Sequence, residues 1–249
     1  MILIKTDNEI EYMRQAGKIV GDTLLKLEEV IKPGITTAEL DRIAEEYIVK
    51  QGARPSFKGY CGFPASICAS VNEEVVHGIP SNKLVLQEGD IISIDCGAML
   101  NGFHGDAART FPVGKISEEA NRLIEVTKES FFKGVKNAVV GNRLTDISAE
   151  IQKYAESFGY SLVREYVGHG IGKDMHEDPE VPNFGMPGRG PKLCKGMVLA
   201  IEPMVNMGKY HVRVEPNNWT VVTEDGSLSA HYENTVAILE NGPEILTLI

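Results

Sequence analysis

Residues Ile10, Met13, Gly17, Val20, Leu24, Leu27 and Ile31 recur at steps of three and four and draw one stripe along the chain. That spacing predicts an amphipathic helix. Thr6-x-x-Glu9 just ahead of it reads as a capping box, and Pro33-Gly34 stops it. A second helix is predicted from about Thr37 to Lys50, with Leu40, Ile43, Ala44, Tyr47 and Ile48 inward and Gly52 closing its C-terminal end. The period then shortens. β-branched runs at Ser66–Val71, Glu74–Val76 and Asp90–Ala98 predict strands, and Asn101-Gly102 marks a tight hairpin. Helical periodicity returns over Ser117–Val140 and about Thr145–Phe158. Strands follow at Met197–Val205, Val212–Glu215, Trp219–Val222 and Thr235–Leu239.

Two helices then strands, twice over, suggests a repeat. An offset of 107 carries Gly34 to Gly141, Leu40 to Ile147, Tyr47 to Tyr154, Gly52 to Gly159, Gly89 to Gly196, Ile94 to Ile201 and Asp95 to Glu202. Val76-His77-Gly-Ile79 also echoes Gly168-His169-Gly-Ile171, at an offset of 92. The expectation is one α+β domain spanning residues 1–249, in two halves of about 1–115 and 116–249. Two similar but unrelated α+β segments are the alternative.

Composition narrows the class. A chain of 249 residues, 43% apolar and 24% charged, is ordinary for a globular protein. With 25 Lys+Arg against 35 Asp+Glu its net charge is −10, which disfavours nucleic acid and suits a cationic or ammonium-bearing substrate. The early polar Thr6-Asp-Asn-Glu9 gives the expectation of no signal sequence, and no apolar run approaches the ~20 residues of a membrane helix. Cys61, Cys68, Cys96 and Cys194 form no C-x-x-C pair. A reduced, cytoplasmic protein is expected.

The chemistry sits in the carboxylates. Asp95 closes the apolar run Ile91-Ile-Ser-Ile, and Glu202 closes Val198-Leu-Ala-Ile. A buried carboxylate needs a cation or strong donors, and two at matched positions point to a shared cation ahead of the alternative, a pair of buried salt bridges or strand-end turn acids. A turn at Asn101-Gly102 pairs Asp95 with Ala108 and Gly97 with Asp106, so both acids share one face of the ribbon a diagonal step apart, roughly 7–8 Å. Glu233, in His231-Tyr-Glu-Asn-Thr235, is the second half's further acid. His169 lies in the glycine-flanked Gly168-His-Gly-Ile-Gly172, read as a loop with a close backbone approach. His77 and His176 are further candidates, His104 and His211 read as structural, and His231 stays open. Four carboxylates with imidazole suit Mn²⁺, Fe²⁺ or Co²⁺ better than a structural zinc, and two ions balance their charge better than one. Paired ions activate water for attack on a carbonyl. No G-x-S-x-G, H-E-x-x-H or nucleotide-binding loop is present.

The ordered set Asp95, Asp106, His169, Glu202 and Glu233, with Gly168-His-Gly-Ile-Gly172 and Ile201-Glu-Pro-Met204, resembles the metal centre of the methionine aminopeptidases. These are pita-bread metallopeptidases, with two pseudo-symmetric halves of antiparallel sheet and helices packed outside. The resemblance runs from the first helix to the C-terminus and is to the compact bacterial type I enzymes. It implies that Asp95, Asp106 and Glu233 ligate two divalent ions (Co, Mn or Fe), that His169 and Glu202 complete one shell, and that Glu202 also serves as general base. It implies that His77 contacts the scissile peptide and His176 stabilises the tetrahedral intermediate. Tyr60, Phe63, Cys68, Met175 and Trp219 would form the methionine pocket, with Phe63 and Met175 standing where some relatives carry Tyr and Phe. The implied substrates are the N-termini of nascent polypeptides with a small second residue. A monomer with transient ribosome contact, no membrane and no sequence-specific nucleic acid is expected. The competing readings are an Xaa-Pro peptidase of the same fold, a non-catalytic binding module, and a metal-binding protein without catalysis.

Overall fold

The computed structural model describes residues 1–248. Helix α1 spans Asp7–Glu28, and its capping box forms as the sequence predicts. The Glu9 amide donates to Thr6 Oγ1 at 3.3 Å, and the Thr6 amide donates to Glu9 Oε2 at 2.9 Å. The helix ends before Ile31, whose amide turns back to Leu27 O at 3.0 Å, because Pro33 has no amide to continue the ladder. Helix α2 is Thr37–Lys50, ended by Gln51 with Gly52 at φ 78°. Helix α3, Glu118–Val135, stops short of Val140. Asn137 and Ala138 donate to Gly134 O and Val135 O, a tighter turn that closes the helix. Helix α4 is Leu144–Glu156.

The first half carries β1 (Arg54–Pro55), β2 (Ile67–Val71), β3 (Glu74–Val76), β4 (Ile91–Leu100) and β5 (Phe103–Pro112). The second carries β6 (Ser161–Leu162), β7 (Gly168–Gly170), β8 (Glu177–Val181), β9 (Val198–Ile201) and β10 (Met204–Asn206). It continues with β11 (Val212–Val214), β12 (Val221–Thr223), β13 (Ser229–His231), β14 (Asn234–Leu239) and β15 (Gly242–Ile245). The run expected as one strand over Met197–Val205 is thus two, β9 and β10, parted at Glu202-Pro203. Proline lacks the donor a ladder needs, so the break frees Glu202 from the sheet.

All pairing is antiparallel. One sheet has the order β1-β4-β2 with β5 also on β4, and a five-stranded sheet runs β15-β14-β9-β7-β8. Two small sheets, β13-β10-β6 and β11-β12-β3, flank them. Helices α1 and α2 cover the first sheet over a core that includes Leu24, Leu40, Ile48, Ile92 and Ile94. Helices α3 and α4 pack over a second core around Phe131, Ile147, Leu199 and Val236. Matched glycines share matched backbones: Gly34 and Gly141 at φ 94° and 100°, Gly89 and Gly196 at 97° and 88°.

The His77 echo is not a structural match. Strand register sets Ser70 against Ser93 and His169 against Ala200. Ser93 and Ala200 are the residues 107 apart, so Ser70 occupies the place of His169. His77 instead follows β3 in a left-handed conformation, φ 60°.

The sheets meet where β5 lies beside β14. The Glu233 amide donates to Ala108 O at 2.9 Å, and the Asp106 amide donates to Thr235 Oγ1 at 2.9 Å. Arg109 reaches across the same seam, donating to the Glu233 carbonyl and, at 2.6 Å, to Asn234 Oδ1.

Candidate metal centre

The β4–β5 hairpin has the register the Asn-Gly turn predicts, with Asp95 opposite Ala108 and Gly97 opposite Asp106. Both acids therefore leave one face of the ribbon. Glu202 enters from the break after β9, Glu233 from the residue before β14, and His169 from β7. The expectation of a loop at His169 is corrected: it is strand, hydrogen-bonded between β8 and β9. Its flanking glycines make room for backbone, since a Cβ at Gly170 would stand 2.1 Å from Asp178 O and one at Gly168 2.4 Å from Ala200 O.

His169 Nε2 lies 3.9 Å from Asp106 Oδ2 and 3.7 Å from Glu202 Oε1. His169 Nδ1 donates to Gly170 O at 2.8 Å, which leaves Nε2 as the bare nitrogen facing the acids. His231, undecided from sequence, joins the cluster. Its Nε2 is 3.7 Å from both Glu202 Oε2 and Glu233 Oε2. The signal for it was the i, i+2 spacing to Glu233, which puts both side chains on one face of extended chain.

Burial dominates the electrostatics. It pushes the Asp95 carboxyl up to about 7, and the carboxyls of Asp106, Glu202 and Glu233 well above the ordinary range. Like charge adds to the shift: Glu233, Asp95 and Glu202 act on Asp106, and Glu202 and Asp95 act on Glu233. Burial also drives His169 and His231 down to about 3, so both rings are neutral. The chemistry of this donor set fits a cation as its partner. Asp95 Oδ1, Asp106 Oδ1, Glu233 Oε1 and His231 Nε2 are all enclosed without a hydrogen bond. Their ligand atoms fall into two groups, Asp95–His231–Glu233 and Asp106–His169–Glu233, each with its atoms within 4.8 Å of one another. Oxygen-rich donors with neutral imidazole fit divalent ions, and Glu233 belongs to both groups.

The acids form the floor of a cavity of about 220 Å³. Phe63, Cys68 and Met175 are buried in its wall, with Phe63 edge-on to Trp219 at 5.1 Å between ring centres. Tyr60, His77 and His176 also line it, as do Phe57 and Cys61, which the sequence did not single out. The site residues drawn from the sequence thus converge on one cavity.

A family model described as metallopeptidase family M24 matches residues 11–240. The methionine aminopeptidase of Clostridium acetobutylicum is 75% identical over 248 residues, covering 100% of this chain and 99% of that protein. Methionine aminopeptidase 1 of Bacillus subtilis is 59% identical, with 100% of both chains covered. The chain belongs to metallopeptidase family M24, among the methionine aminopeptidases. A crystal structure of methionine aminopeptidase from Thermotoga maritima superposes with a TM-score of 0.98 at 49% identity, covering 100% of both chains. An Xaa-Pro dipeptidase from Bacillus anthracis shares the fold at a TM-score of 0.77 and 26% identity, but this chain spans only 62% of that one. The fold is the pita-bread fold of M24, and the family's chemistry uses divalent metal on peptide substrates.

Outside the M24 centre, His104 is held by Ser56 Oγ at 2.8 Å, and His211 stacks on Tyr210 with ring centres 4.1 Å apart, both in keeping with structural roles. Two supports were invisible in the sequence. Asn183 is buried and donates from Nδ2 to Glu202 O at 3.0 Å, and Arg109 grips the backbone of Glu233. Neither has a spacing or motif that ties it to residues so far away in the chain.

Proposed function

We propose that the chain removes an N-terminal methionine from peptides and nascent proteins whose second residue is small, using two divalent ions of Co, Mn or Fe. The carrying observation is the joining of an apolar cavity, walled by Phe63, Cys68, Met175 and Trp219, to a floor of four carboxylates. At about 220 Å³ the cavity is smaller than the ~300–1,000 Å³ of sites for drug-sized ligands, which suits one unbranched side chain. A flexible thioether packs well against such aromatic and apolar walls.

Asp95, Asp106, His169, Glu202 and Glu233 hold the ions, with His231 adding its Nε2 to the Asp95 side. Divalent ions bound there supply Lewis acidity and lower the pKa of water. Glu202 accepts the proton of the attacking water. His77, edge-on to Tyr166 at 5.6 Å and Trp219 at 6.5 Å between ring centres, contacts the scissile peptide. His176 donates to the carbonyl oxygen as negative charge builds on it. The net charge of −10 and the acidic floor favour a substrate with a free α-amine.

The test is cleavage of Met-Ala-Ser, Leu-Ala-Ser, acetyl-Met-Ala-Ser and Xaa-Pro peptides with each metal. Changed branching in an apolar pocket costs ~1–3 kcal/mol, so Met is preferred to Leu by roughly 10–200-fold. Acetylation abolishes cleavage. Equal rates on Met and Leu, or a preference for Xaa-Pro, would overturn the reading in favour of an Xaa-Pro peptidase.

A further inference from the structure

The resemblance counts Tyr60 among the walls of the methionine pocket, and its environment differs from theirs. Phe63, Cys68 and Met175 are 3%, 5% and 2% exposed, whereas Tyr60 is 40% exposed. Its hydroxyl does not face bulk water alone: it lies 2.8 Å from His176 Nδ1. The phenol ring also stacks on the imidazole, with centres 5.2 Å apart and planes 30° from parallel. A tight turn places it there. Tyr60 begins a short 3₁₀ segment, Tyr60–Gly62, flanked by Gly59 at φ 85° and containing Cys61 at φ 49°. The turn is closed by the Gly59 amide on Phe63 O at 2.8 Å and the Phe63 amide on Tyr60 O at 2.9 Å.

We propose that Tyr60 is a positioning residue that locks His176 in the tautomer bearing its proton on Nε2. The proposal rests on the aminopeptidase reading, in which His176 donates to a carbonyl oxygen. A neutral imidazole carries one ring proton, and the partner of one nitrogen decides which. If Nδ1 held the proton and donated to Tyr60, Nε2 would present a lone pair to developing negative charge. If the Tyr60 O–H donates to Nδ1, Nε2–H is left as the donor. Burial raises the phenol pKa, so the hydroxyl keeps its proton at neutral pH. The imidazole is packed between the Tyr60 ring and the His169 ring, whose centre lies 4.2 Å from its own, and the Tyr60 hydroxyl fixes its proton. Tyr60 thus acts through His176 rather than on the methionine side chain.

Two measurements test this. Histidine ring ¹⁵N spectra of the metal-free full-length protein should show His176 with an unprotonated Nδ1 and a protonated Nε2, and Tyr60→Phe should shift population toward the Nδ1–H form. A wild-type His176 protonated on Nδ1 overturns the proposal, whatever the activity. In kinetics on Met-Ala-Ser, Tyr60→Phe should lower kcat by about 3–10-fold, the effect of one lost hydrogen bond, and move KM by less than about twofold. In a His176→Ala background the same substitution should change nothing further. A raised KM with unchanged kcat would return Tyr60 to the pocket wall. An equal kcat loss in both backgrounds would make its role structural and equally overturn the proposal. Should the wild-type protein fail to cleave methionyl peptides, the aminopeptidase reading falls by itself, and the spectra still decide the tautomer.

Discussion

The segment carrying His169 touches two buried charge clusters of opposite character. At Gly172, three residues on, it packs against an ion pair between Lys5 Nζ and Glu177 Oε2 at 2.5 Å, whose side chains are only 5% and 3% exposed. A Cβ at Gly172 would stand 2.5 Å from both Glu177 Oε1 and Lys5 Cε, so the glycine leaves room for the pair in this geometry. Lys5 also donates to Leu3 O at 3.1 Å. That cluster is closed, because the chain supplies both charges. The cluster at His169 gathers four carboxylates and leaves Asp95 Oδ1, Asp106 Oδ1 and Glu233 Oε1 unpartnered. It is open, because the compensating charge comes from outside. Closed buried charge serves the fold, and open buried charge costs the metal-free fold something and becomes useful once a cation arrives.

Substitution should separate the two. The largest effect is expected from His169→Ala and Glu202→Ala, which should cut turnover by more than about 10³-fold, beyond the loss of a single transition-state donor. Both should weaken metal binding in calorimetry. In the metal-free protein Glu202→Ala should leave the melting temperature unchanged or raised, because it removes one of four buried acids that crowd one another, with only neutral imidazoles beside it. A large drop in stability would show that the cluster is closed after all.

Lys5→Met should do the reverse. It leaves Glu177 buried and unpaired, which costs about 3–5 kcal/mol and should be read as a lowered urea midpoint. Lys5→Met with Glu177→Leu should recover most of that loss, while metal affinity stays near wild type. Next in size, His176→Ala should lower kcat by about 10²–10³-fold with normal metal content. Survival of activity would remove His176 from the proposed donor role.

Glu74 gives the smallest effect and a control. Burial pushes its carboxyl up to about 7, with Glu73 and Glu215 adding to the shift and the Val71 amide opposing it. A carboxyl whose folded pKa is raised contributes its stability fully below the unfolded value and loses it as pH rises through the folded one. Wild type and Glu74→Gln should therefore melt alike near pH 4, and the variant should melt a few degrees higher above pH 7. Parallel melting curves at every pH would mean that Glu74 is solvated.

Much of this was legible in the chain. Thr6 and Glu9 form the predicted capping box, α2 has the predicted ends, and the Asn101-Gly102 turn sets the register that puts Asp95 and Asp106 on one face. These features depend on neighbours in sequence: helical period, strand alternation and turn chemistry are local rules. The boundaries at Ile31 and Val140 were overrun because apolar periodicity continues past the point where the backbone turns.

Only the tertiary structure decided the rest. His169 proved to be a strand residue because β8 and β9 supply its partners, Glu180 and Ala200, 11 and 31 residues further along the chain. His231 entered the metal cluster, Asn183 took hold of the Glu202 carbonyl, and Arg109 reached Glu233 across 124 residues. The Tyr60 hydroxyl met His176 across 116. Arg109 and Tyr60 meet their partners where the two halves come together, whereas His169, Asn183 and His231 meet theirs through the pairing and packing of strands within the second half. Packing of distant segments follows from summed burial over whole faces, so the approach of one side chain to another leaves no periodic trace around either residue.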